Sequence, residues 1–194
     1  MSDRCYKYDV IDCDKFHICD KESEKSYISS IMYDDKRLVL IQLPCMKAPF
    51  GVSKYMGPVM DSYSLSVNLE NNDECDKVRC IINTLEDKIG DMYPGFDVAS
   101  IIKKSTNNFP DTLRMECEVR EGAFVGMIVD EDNNIMQMKD LDKGLQIVAL
   151  VEVTGMWHSH KSNKIGLKIR CCQLKYFGKQ KHWDIPKAGV NDEK

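Results

Sequence analysis

One stretch of this chain repeats its apolar residues at helical spacing, and the segments on either side repeat every second residue. Val78, Ile81, Ile82, Leu85 and Ile89 fall at i, i+3, i+4, i+7 and i+11, which predicts one amphipathic helix. Asn72 or Asp73 supplies an N-cap, Lys88 sits near the end and Gly90 offers the residue after the C-cap. A single apolar stripe means that this helix lies across a sheet or a barrel end. Upstream, Tyr63, Leu65, Val67 and Leu69 alternate with polar residues, as a half-buried strand does. Arg37–Leu43 reads as a strand stopped by Pro44, followed by a turn-rich connection at 47–51. Downstream, Leu113, Met115, Cys117 and Val119 oppose Arg114, Glu116, Glu118 and Arg120. Residues 124–138 read as a hairpin turning at 130–134. Residues 145–153 form the most apolar strand, partnered by a basic strand at 165–176 across a loop at 155–163. A second, weaker helix or turn is predicted over 98–104. Six or so strands around one helix make the chain mainly β, either a small barrel or a sheet carrying a packed helix.

The 194 residues suit one domain. The pattern divides them into a polar N-terminal arm at 1–30, one barrel domain at 31–183 with its helical insertion around 73–104, and a short tail at 184–194. The longest apolar runs fall short of the ~18 residues that span a bilayer, and the first residues lack the apolar stretch of a signal peptide. Nine cysteines, an odd number without any C-x-x-C, fit free thiols in a reducing intracellular compartment better than a disulfide framework.

Charge is distributed unevenly. From Val153 to Trp183 there are seven Lys or Arg and no Asp or Glu, while the other 163 residues carry 20 bases against 31 acids. An acid-free basic stretch is an electrostatic footprint for a polyanion. Lys161, Lys164, Lys168, Arg170 and Lys175 are the candidate phosphate contacts. Lys168 and Arg170 share a strand face ~7 Å apart. Trp157, Phe50 and Tyr55 are candidate stacking rings. The competing readings are a solvated basic strand and, for Trp157, a core residue.

Motifs for other chemistry are missing: there is no P-loop, G-x-G-x-x-G, H-E-x-x-H or G-x-S-x-G. Asp130, Glu131 and Asp132 suit a turn better than a metal cage. His158 and His160 with Cys171 and Cys172 are the sharper zinc candidates, but adjacent cysteines on a regular strand point to opposite faces. No metal, other cofactor or enzymatic activity is therefore expected. The alternatives kept are an adaptor protein using its basic face and a metal-dependent nucleic-acid enzyme.

Two blocks of sequence resemble a known family. One is Leu38–Pro44, then Ala48-Pro49-Phe50-Gly51-Val52-Ser53 and Tyr63-Ser64-Leu65. The other is Val148–Trp157 followed by Ile165–Lys175. In order and separation they look like the phage-type single-stranded DNA-binding proteins of large nucleocytoplasmic DNA viruses. The resemblance covers about a third of the chain. It implies an OB-like β-barrel that binds single-stranded DNA without catalysis or strong sequence preference, in DNA replication and recombination, with replication proteins as further partners. Two departures stand out: Ile165 replaces an aromatic residue before Gly166, and the long acidic tail is reduced to Asn191-Asp192-Glu193-Lys194.

Overall fold

The computed structural model describes residues 5–19, 30–37, 39–56, 61–159 and 161–178. His160, Lys179, Lys181, His182, Trp183 and the tail at 184–194 lie outside them. Along the chain come strands β1 (Cys5–Lys7), β2 (Phe16–Cys19), β3 (Ser30–Tyr33), β4 (Lys36–Arg37), β5 (Val39–Ala48), β6 (Val52–Tyr55) and β7 (Ser62–Leu69). Helix α1 (Asp73–Met92) is followed by β8 (Asp97–Val98), β9 (Ile102–Lys103) and β10 (Asp111–Cys117). The last strands are β11 (Val119–Arg120), β12 (Ala123–Phe124), β13 (Met127–Val129), β14 (Leu145–Ser159) and β15 (Lys164–Phe177).

The helix forms where its stripe predicts. The Asn72 side chain accepts a hydrogen bond from the Cys75 amide at 2.8 Å, and Cys75, Val78, Ile81, Ile82, Leu85 and Ile89 are buried. It runs past Gly90 to Met92, where the Tyr93 amide closes it onto the Ile89 carbonyl. Gly90 serves close packing instead of a cap: a Cβ there would stand 3.3 Å from Val98 Cγ2. Over 98–104, where a weaker helix or turn is expected, short strands form instead, because Val98 and Ile102 join neighbouring ladders. Glu86, buried on the helix, fastens this segment by accepting the Ile101 amide at 2.8 Å.

The main sheet runs β1-β5-β14-β15-β10-β7-β6. Among the described residues its ladder ends at β1 and β6 and does not close, so the expected barrel is an open sheet. Three irregularities shape it. Leu43 and Pro44 of β5 together face Ala149 of β14, so the strand continues through Pro44 to Ala48 because a bulge spares the proline a ladder bond. Thr154 bulges out of β14, with Gly155 at φ +131° in a region L side chains avoid. This lets β14 continue to Ser159, so the loop expected at 155–163 shrinks to a turn. Cys172 bulges out of β15.

Residues 5–19 pack into the body, with β1 an edge strand of the main sheet. β1 pairs in parallel with β5, Phe16 is 1% exposed, and the Tyr8 hydroxyl donates to Glu74 Oε1 at 2.6 Å. That bond, with burial and the nearby carboxylate charges, pushes the Tyr8 hydroxyl pKa up to about 12. The hairpin expected over 124–138 reduces to one bridge, Val129 to Ile135, with Asp130 accepting the Asn134 amide at 2.8 Å.

Candidate nucleic-acid interface

Three outward positions alternate along the first half of β15: Lys164, Lys168 and Arg170, with Ile165, Leu167, Ile169 and Cys171 buried. Strict alternation would then send Lys175 inward. The bulge at Cys172 resets the phase, burying Leu174 and leaving Lys175 on the same outer side as the other cations.

Neighbouring strands neutralise the middle of this row. Arg170 donates through Nε to Glu152 Oε2 at 3.0 Å, through Nη2 to the same oxygen, and through Nη1 to Glu118 Oε2 at 2.6 Å. The bonds to Glu152 lead in raising the Arg170 pKa. Glu118 is held below the usual carboxylate range, first by Arg120 and also by Arg170. Lys168 pairs with Glu116 at 3.2 Å. Acids missing from 153–183 in sequence thus return in space from β10, the residue that follows it, and β14. Lys175 donates to Asn133 Oδ1 at 3.0 Å and stands 6.0 Å from the Phe177 ring centroid.

The free charge collects at the β14–β15 turn. Lys161 and Lys164 are exposed and have no ion-pair partner among the described residues. Asn163, at φ +51°, donates its side-chain amide to the Gly95 carbonyl at 2.9 Å. The Ala99 amide donates to the Ile165 carbonyl at 2.7 Å. These bonds hold the turn against the loop that follows α1.

Trp157 stands beside this turn, across from Gly166 in the β14–β15 ladder. A Cβ on Gly166 would come within 2.8 Å of indole Cε2 and Nε1. The indole therefore rests on bare backbone and still keeps 39% of its exposure. This is a ring supported from one side and open on another, neither a core residue nor a free surface side chain.

The remaining predicted rings lie elsewhere. Phe50, 58% exposed, sits in the bend after β5, near Leu145 at the far end of β14 from Trp157, ~40 Å away along the strand. Tyr55, 65% exposed, ends the edge strand β6. The zinc candidates also separate: His158 pairs with Ile165, six residues along β15 from an inward Cys171, ~20 Å apart. Burial, followed by the Glu152 charge, raises the Cys172 thiol pKa.

Sequence reading missed a groove of about 640 Å³ between β6 and the 121–141 segment. Tyr63, Phe124, Lys54 and Lys139 line it. A second hollow of about 580 Å³, lined by Arg114, Lys168 and Arg170, shares Tyr63 with it. Arg114 was legible only as an outward residue of its strand; nothing in the spacing of Lys54 or Lys139 ties them to the basic stretch.

The chain matches no family model and no curated protein sequence. Its architecture is similar to that of gp2.5, a single-stranded DNA-binding protein encoded by bacteriophage T7. The TM-score is 0.53 at 9% identity, covering 72% of this chain and 86% of that one. The single-stranded DNA-binding protein of bacteriophage Enc34 aligns at a TM-score of 0.49 and 11% identity, covering 82% of this chain and 89% of that one. The T7 protein shares the fold of this chain.

Proposed function

We propose that this chain coats single-stranded DNA without catalysis and with little sequence preference, as an open OB-like module. The observation that carries the reading is the Trp157 indole resting on Gly166 beside Lys161 and Lys164, two exposed cations without ion pairs among the described residues. A supported ring next to free cations matches what sequence-tolerant binding needs: a surface for any base and charge for the adjoining phosphates. The shared fold with a phage protein of that description supports it.

Trp157 stacks a base, Lys161 and Lys164 take phosphates, and Lys175 extends the track along β15. Lys168 and Arg170 serve mainly to knit β15 to β10 and β14. Phe50 and Tyr55 are contacts for strands long enough to cross the molecule. The setting we propose is replication or recombination of a phage- or virus-type genome, including those of large nucleocytoplasmic DNA viruses, with replication proteins as further partners, in a reducing intracellular compartment. The test is a fluorescence titration with oligo-dT at several salt concentrations. Quenching with a steep salt dependence is expected. No binding, or preference for duplex, overturns the reading, and salt-dependent binding to protein but not to oligonucleotide would instead favour an adaptor.

A further inference from the structure

The arrangement at Trp157 has a counterpart. A Cβ on Gly126 would stand 2.5 Å from Phe124 Cε1, 2.7 Å from Phe124 Cζ and 2.0 Å from the Cys172 carbonyl oxygen. The Phe124 ring is therefore folded over Gly126, with the bulged backbone of β15 beneath, much as the Trp157 indole lies over Gly166. It is held there by short-range pairing: Phe124 faces Val119 in the β11–β12 ladder, and the Val125 amide donates to the Glu118 carbonyl at 2.9 Å.

The ring lines the groove that the open sheet leaves beside β6. Tyr63 and Lys54, cross-strand neighbours, also line it, with Lys54 Nζ 5.7 Å from the Tyr63 ring centroid. Lys54 pairs with Asp61 at 2.7 Å, so it is neutralised at rest, as Lys168 is by Glu116. Lys139 is exposed with no ion-pair partner among the described residues. With Lys54 countered by Asp61, Lys139 is the cation the groove offers to a phosphate. Rings, an exposed cation and a volume typical of small-ligand sites suit a nucleobase with its phosphate.

We propose that this groove is a second nucleotide subsite, with Phe124 as its stacking ring and Lys139 as its phosphate contact. The proposal rests on the single-stranded DNA reading above. Six residues of β15 separate Gly166, under Trp157, from Cys172, against Gly126. The two platforms are thus ~20 Å apart along the strand, so a strand of about two nucleotides engages one and a longer one engages both.

The experiment compares oligo-dT of about 2 nucleotides, too short to bridge the platforms, with one of about 12, within the footprint range of single OB modules, on the full chain and on F124L, F124Y and K139A. F124L is expected to weaken the longer oligomer about tenfold, within the range of one lost base stack, and to leave the shorter one unchanged. F124Y, which keeps the ring, is expected to bind like the parent. K139A, a change at an exposed side chain, is expected to lower the log–log salt slope for the longer oligomer by about 0.7. Parent-like affinity of F124L for both lengths, or an unchanged slope in K139A if F124L does not fold, overturns the second subsite while leaving the Trp157 site standing. Failure of the parent to bind either length overturns the function itself, and the subsite with it.

Discussion

Arg170 binds Glu152 across the central strand pair of the sheet, and Glu152 is only 5% exposed. A carboxylate this buried depends on its guanidinium, since removing one partner of a buried pair leaves an uncompensated charge. Two roles then compete for Arg170, holding the sheet and contacting phosphate, and the geometry favours the first.

R170A is therefore expected to lose stability by about 2 kcal/mol, below the 3–5 kcal/mol typical of fully buried pairs, because the Arg170 side chain keeps 38% exposure. K168A, which breaks an exposed pair with Glu116, is expected to change stability by less than about 0.5 kcal/mol. Urea unfolding of the two variants checks this. An R170A protein as stable as the parent but weak in DNA binding would return Arg170 to the interface.

Salt dependence follows from which cations are free. With Lys161, Lys164 and Lys175 as the phosphate contacts outside the groove, the log–log slope is expected near −2, at about −0.7 per contact on single strands. K164A should reduce its magnitude by about 0.7, and K168A should leave it unchanged. Oligo-dT titrations between low and moderate salt read both. Equal effects of the two variants would show that the Lys168–Glu116 pair opens on binding.

The sequence showed most of what local chemistry decides. The α1 stripe and the buried faces of β7 and β10 needed only periodicity, and those residues are the ones that pack. Features set by long-range pairing were hidden. Nothing local announces that Pro44 sits in a bulge, or that Cys172 shifts the phase of β15. The basic stretch was real as sequence, but Glu116, Glu118 and Glu152 come from distant parts of the chain and cancel its middle. Of the proposed cluster, Trp157, Lys161 and Lys164 come together at one turn, while Phe50 and Tyr55 are placed elsewhere by the topology. The groove is invisible to one-dimensional reading because its lining is drawn from segments up to about 90 residues apart.

Glu86 gives a pH prediction. Burial is the leading cause raising its pKa, partly offset by the Ile101 amide and Ser100. Because the folded pKa lies above the unfolded one, the folded state holds this proton more tightly, and the contribution of Glu86 turns unfavourable as pH rises through the ordinary carboxylate range and on through the raised value. E86Q, uncharged and still able to accept the Ile101 bond, is expected to gain stability relative to the parent at neutral pH and to lose that gain in acid. Unfolding midpoints of both proteins at about pH 4 and pH 7 (the unperturbed value is near 4.3) test the sign. A gain that grows in acid would mean that the carboxylate is stabilised in place.

Gly166 and Trp157 make the strongest joint test. In G166A the new methyl would stand 2.8 Å from the indole and 2.9 Å from the Ala99 carbonyl oxygen. The indole can swing away, but the carbonyl is backbone and cannot move without disturbing the segment tied to Ile165. G166A is therefore expected to lower stability by about 1–3 kcal/mol, as overpacking does, and to weaken DNA binding by displacing the platform. W157F keeps a ring on the glycine. It is expected to unfold near the parent midpoint, to bind oligo-dT more weakly by at most the ~1–3 kcal/mol of one stacked base, and to lose most of the fluorescence quenching. Trp183, outside the described residues, accounts for any signal that remains. Quenching that survives W157F and vanishes in W183F would move the stacking role to Trp183. Quenching by neither tryptophan, with salt-dependent binding intact, would leave the electrostatic contacts of Lys161 and Lys164 as the part of the mechanism that stands.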